Sequence, residues 1–116
     1  MAIQEDLRSG ILEFRQSAEE EEKKGRKRSA VTLYFKAVAT ICDYLIYLKF
    51  RKIPDNHTER FRTLERHFHD LYKTLDRVFP IYQQTYRSDI TSEQLDVMKN
   101  AFGRIKEFAD SFEKGL

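Results

Sequence analysis

The stretch Ala30–Phe50, AVTLYFKAVATICDYLIYLKF, decides the fold. Ala30, Tyr34, Ala37, Val38, Ile41, Leu45 and Leu48 recur at steps of three and four, which is one face of an α-helix. Leu33, Thr40, Tyr44 and Tyr47 mark a flank beside that face. A helix apolar over so much of its circumference touches at least two neighbours. Its β-branched residues would suit a strand, but length and spacing decide for a helix. The same stretch invites a membrane-spanning reading. Lys36, Asp43 and Lys49 interrupt it, and charges near a bilayer centre are costly, so it reads as the buried central helix of a core. Cys42 falls inside it and reads as a small buried hydrophobe.

This helix starts at about Arg28, with Ser29 as an alternative N-cap, and runs to about Arg51, where Pro54 ends it. Before it, Leu7, Ile11, Phe14 and Ala18 give one stripe over about Gln4 to Lys24, and Gly25 stops that first helix. After it, Asn56 and Glu59 read as a capping box that opens a third helix. The spacing of Phe61, Leu64, Phe68, Leu71, Leu75 and Val78 predicts that this helix runs unbroken from His57 to Phe79, with Pro80 stopping or kinking it. Ile81 to Ile90 reads as one more helical turn or an ordered loop. Thr91 caps a fourth helix, with Gln94 as its partner. Leu95, Met98, Phe102, Ile105, Ala109 and Phe112 line that helix to about Glu113, and Gly103 inside it predicts a close helix–helix approach. Short connections favour antiparallel neighbours. The expectation is one all-α domain over residues 1–116, an antiparallel up-and-down four-helix bundle with a short extra helical turn between helices three and four as an option.

Charged residues make up 34% of the chain and the net charge is +2, too near balance to argue nucleic-acid binding from totals. The single cysteine excludes an internal disulfide. Met1 to Gly10 carries Glu5, Asp6 and Arg8 with no apolar run, unlike a signal peptide, so a cytoplasmic location without membrane partners is expected. His57, His67 and His69 show no metal-ligand spacing, and no phosphate-cradling glycine loop or serine-nucleophile motif is present. No metal or cofactor is therefore expected.

Basic residues cluster instead. Lys23, Lys24, Arg26, Lys27 and Arg28 follow an acidic run that compensates them. Lys49, Arg51 and Lys52 end the second helix, and Arg60, Arg62 and Arg66 continue along the third. Lys49, Lys52, Arg60 and Arg62 are the candidates for contacts to a nucleic acid or nucleotide, around a positive surface at the Arg51–His57 loop. The alternative is ordinary helix-end and surface charge pairing. Leu33 and the aromatics Tyr44, Tyr47, Tyr82 and Tyr86 are candidates for exposed residues at an interface.

The run Arg28-Ser-Ala-Val-Thr-Leu-Tyr34-Phe-Lys-Ala37 resembles the second helix of HEPN domains, and Lys52-Ile-Pro54-Asp-Asn-His57 resembles their loop into helix three. The resemblance implies an antiparallel helical bundle, commonly a homodimer, working beside a small nucleotidyltransferase in a toxin–antitoxin-like pair. Some members are metal-independent ribonucleases with four to six residues between an arginine and a histidine. Arg51 and His57, with five residues between them, fit that pattern; Arg62 with His67 and Arg60 with His67 fit it by number too. In such chemistry histidine moves the 2′-hydroxyl proton and arginine stabilises the charged phosphorane. Three expectations stand: a dimeric binding module for a nucleotidyltransferase partner, a nucleotide or RNA; a ribonuclease toxin using Arg51 and His57; and a helical adaptor without a nucleic-acid role.

Overall fold

The computed structural model describes residues 2–114, and all regular structure among them is helical. The order is α1 (Ala2–Lys23), α2 (Lys27–Phe50), α3 (His57–His67), α4 (His69–Gln84) and α5 (Ser92–Lys114). α2 sits at the centre and touches each of the other four. It is long and apolar enough to cross a membrane, yet 67% of its most apolar window is buried inside the protein. Cys42 is fully buried there, and burial pushes its thiol up to about 12.

Local signals fix most of the ends. Gly25 takes φ 76° after α1, with its N–H donating to Glu22 and the N–H of Arg26 donating back to Glu21. That paired closure suits glycine, which enters the left-handed region without a Cβ penalty. The Glu59 N–H donates to the Asn56 side chain at 2.9 Å, so Asn56 caps α3. The reciprocal half differs, because the Glu59 carboxylate accepts from the Asp55 N–H. Thr91 and Gln94 form a complete capping box at the start of α5, at 3.0 and 3.1 Å.

Side-chain contacts give the directions. Arg8 meets Tyr44 while Glu22 meets Tyr34, so α1 runs antiparallel to α2. Tyr34 packs near Phe102 and Tyr44 reaches Glu113, so α5 runs the same way as α2. Tyr82 stacks on Phe35 and Lys49 lies over Phe68, so α4 runs opposite to α2.

The expected third helix is two helices. The chain breaks at Phe68 (φ −141°, ψ 63°) and α4 folds back along α3. Phe61 contacts both Tyr72 and Phe79, and the His57 ring lies 5.4 Å from that of Phe79. A straight helix would separate residues 57 and 79 by roughly 33 Å. Neither glycine nor proline marks the break. Its cause is tertiary: Phe68 is buried against Phe108 and Phe112 of α5, while Phe61 pairs with Phe79.

Pro80, in turn, does not end a helix but lies inside α4. An interior proline costs about 3 kcal/mol. The turn around it is held by Phe79 and by Tyr82, whose ring stacks on Phe35 at 4.3 Å. Ile81 to Gln84 is thus helix, followed by hydrogen-bonded turns through Ser88. Gly103 marks no close approach, since a Cβ there would meet nothing within 4 Å.

Candidate functional site

The deepest charge among the described residues is Asp43, on α2 and 8% exposed. A carboxylate in such a setting needs a partner. Arg60 of α3 supplies it, its Nε and Nη2 donating to the two carboxylate oxygens at 2.7 and 2.8 Å. Burial alone would lower the Arg60 pKa. The hydrogen bonds and charge of Asp43 outweigh that and hold it above the ordinary value.

The remaining arm of Arg60 reaches His57. Its Nη1 lies 2.8 Å from His57 Nδ1. A guanidinium has donors and no acceptor, so Nδ1 must accept, and the neutral ring carries its proton on Nε2. Protonating Nδ1 would break this bond and set two cations side by side. The His57 pKa is accordingly lowered, first by burial and then by Arg60, with Lys36 adding to the effect and Asp43 opposing it. Phe35, Phe79 and Tyr82 wall the ring, with centroids 5.4 to 6.3 Å away.

This array opens onto a groove of about 670 Å³ lined by His57, Phe79, Tyr82, Tyr86, Arg87 and Ser88. The Tyr82 and Tyr86 hydroxyls share a hydrogen bond of 2.8 Å. Burial and that bond push the Tyr82 phenol up to about 12. Tyr86 is 73% exposed. Across the two tyrosines lies a second hollow with Lys36 in its wall.

A separate groove of about 690 Å³ opens between the end of α2, the following loop and α3. Lys52, Arg62, Arg66 and His67 line it, and Glu59 is its single acidic wall residue. Lys52 approaches Glu59 at 3.9 Å, whereas Arg62 and Arg66 have no ion pair among the described residues.

Of the four expected binding residues, Lys52 and Arg62 therefore meet in one groove. Lys49 does not join them, because its ammonium lies over the rings of Phe50 and Phe68 at 5.5 and 5.4 Å. Arg60 is committed to Asp43. Arg51 and His57 are not brought together within one chain. Arg51 caps the far end of α2 with φ 58°, and its guanidinium lies 5.4 Å over Tyr47. His57 packs on Phe35, roughly four helical turns back along α2. Among the candidate exposed aromatics, Tyr44 and Tyr82 are buried, and Tyr44 accepts from Arg8 and donates to Glu113.

Lys36, Asp43 and Arg87 were not among the expected site residues, and Tyr86 was expected only as an interface aromatic. Asp43 carried a usable signal, since a lone carboxylate in a helix apolar on most sides demands a cation from elsewhere. Among the described residues no cluster of three or more metal-ligating side chains occurs. No family model, curated protein or solved structure matches the chain.

Proposed function

We propose that this chain is a binding module for a phosphate-bearing polymer, with single-stranded RNA as the ligand class. One observation carries the reading: Arg62 and Arg66 stand one turn apart on α3, without an ion pair among the described residues, in a groove shared with Lys52. Residues four apart on a helix present their charges side by side, suited to successive phosphates. The resemblance of Arg28–Ala37 and Lys52–His57 to HEPN domains supports the same reading. So does the tautomer of His57, which suits a hydrogen-bond donor better than a proton acceptor. In this reading the scaffold is an up-and-down arrangement of α1, α2, α4 and α5 with α3 laid against it. The module works in the cytoplasm as a homodimer, beside a nucleotidyltransferase partner, without a cofactor.

The test is a fluorescence-anisotropy titration of labelled single-stranded RNA in EDTA at several salt concentrations, with the RNA recovered and checked for length. Intact RNA and an affinity that falls with salt are expected, the slope easing by about 0.7 for each phosphate contact removed. No binding at low salt would refute the reading. EDTA-resistant cleavage lost in both Arg51→Ala and His57→Ala would replace it with a ribonuclease.

A further inference from the structure

The groove beside His57 is distinct from the Arg62–Arg66 groove and is built differently. Its donor is fixed in advance. Asp43 holds Arg60 through two bonds, and Arg60 holds His57 Nδ1 through a third, leaving Nε2–H as the free polar edge of the ring. Two cations stand nearby, one in the same groove and one in the wall of the adjoining hollow. Lys36 lies on the same face of α2 as Asp43, two turns away, and is exposed in a helix otherwise largely buried. It is close enough to His57 to act on its charge. Arg87 lines the same groove as His57. Neither cation has an ion pair among the described residues.

The carboxylates nearby are already engaged. Asp89 accepts from Arg28 at 3.1 Å, and Glu21 in the wall of the adjoining hollow pairs with Arg26 at 3.4 Å. A neutral N–H donor near two cations that have no ion pair among the described residues suits an anion with several acceptor oxygens. The fourth element is Tyr86, whose hydroxyl is tied to Tyr82 while the ring stays largely exposed at the groove edge. A tethered, exposed aromatic ring beside an anion-receiving groove suits a nucleobase, because every base offers a π-face.

We infer that the groove of His57, Arg87 and Tyr86, with Lys36 in the wall of the adjoining hollow, is a phosphoryl-binding subsite for a mononucleotide or a nucleotide end, with His57 as a fixed Nε2–H donor to the phosphate. The chemistry shared with free phosphate is the phosphoryl group, and the tyrosine separates the two sources. The subsite stands on observations independent of the Arg62–Arg66 groove, so either can fail without the other.

The test is a nitrogen-15 NMR titration of the full chain, following the His57 ring nitrogens and the Tyr86 ring, with inorganic phosphate, sulfate and AMP added separately. Before addition, His57 should show the Nε2–H tautomer. Phosphate and AMP should both move His57 Nε2, and AMP should also move Tyr86 and bind about tenfold more tightly. Tyr86→Ala should erase that advantage and leave phosphate binding in place. Lys36→Gln, a change at an exposed position, should weaken both ligands several-fold. Arg62→Ala with Arg66→Ala should leave the AMP titration unchanged. An Nδ1–H tautomer would overturn the inference. So would a His57 ring unmoved by millimolar phosphate and AMP, or AMP shifts confined to the Arg62–Arg66 groove.

Discussion

Arg60 and Arg62 are two residues apart on one short helix and lead opposite lives. The Arg60 side chain is 13% exposed and gives two donors to Asp43 and one to His57. Arg62 points into an open groove without a partner among the described residues. The helix turns by about 200° between them, enough to send one inward and the other to solvent. Identity and spacing in the sequence treat both as cations of one cluster. What separates them is a single acid, Asp43, on another helix. A basic cluster thus divides into structural and available charge only once the buried anions are found.

The sharpest way to break this contrast is to remove the buried carboxylate. Asp43→Ala strands the Arg60 charge and should cost about 3–5 kcal/mol of stability by urea denaturation. Replacing both partners by apolar residues, Asp43→Leu with Arg60→Met, should return most of that loss, because no charge is left unpaired. A small effect of Asp43→Ala alone would mean that the pair is not held as described.

Arg62→Ala should behave in the opposite manner. Unfolding should shift by less than about 0.5 kcal/mol, as at an ordinary exposed position. RNA affinity should fall, with the salt slope eased by about 0.7.

The smallest effect concerns pH. His57 has a lowered pKa in the fold, so as acid is added the unfolded chain takes up this proton first. The stability it contributes is complete above the ordinary histidine value of about 6.5 and is lost as pH falls through the folded value. The ring is partly exposed, so the slope is shallow. Comparing wild type with His57→Gln between pH 7.5 and 5 should show it in the wild type only. Arg60→Gln should raise the His57 pKa in an NMR titration.

The readable parts of the fold are those where local chemistry and packing agree. The apolar run of α2, the glycine closure after α1 and the caps at Asn56 and Thr91 all stand where the residues place them. The break at Phe68 was not readable. The apolar stripe keeps its three-and-four spacing through Phe61, Leu64, Phe68, Leu71 and Leu75, so periodicity continues across a point where the backbone reverses. The reversal is fixed by ring contacts from α5, which no local signal encodes. Pro80 left a stop and a kink both open, and the helix continues past it, where the Tyr82 ring stacks on Phe35. The same limit governed the sites. His57, Lys52 and Arg62 could be named from the sequence as candidates. That His57 answers to Arg60 rather than Arg51 depends on the path of the loop from the end of α2 back toward Phe35.

The division between Arg60 and Arg62 can be read atom by atom from the arginine Nε–H signals of nitrogen-15-labelled protein, before and after single-stranded RNA is added. The Arg60 signal should be protected from solvent exchange and should stay in place, whereas those of Arg62 and Arg66 should exchange fast and move with RNA. An unprotected Arg60 that shifts on binding, or Arg62 and Arg66 signals indifferent to saturating RNA, would contradict the account.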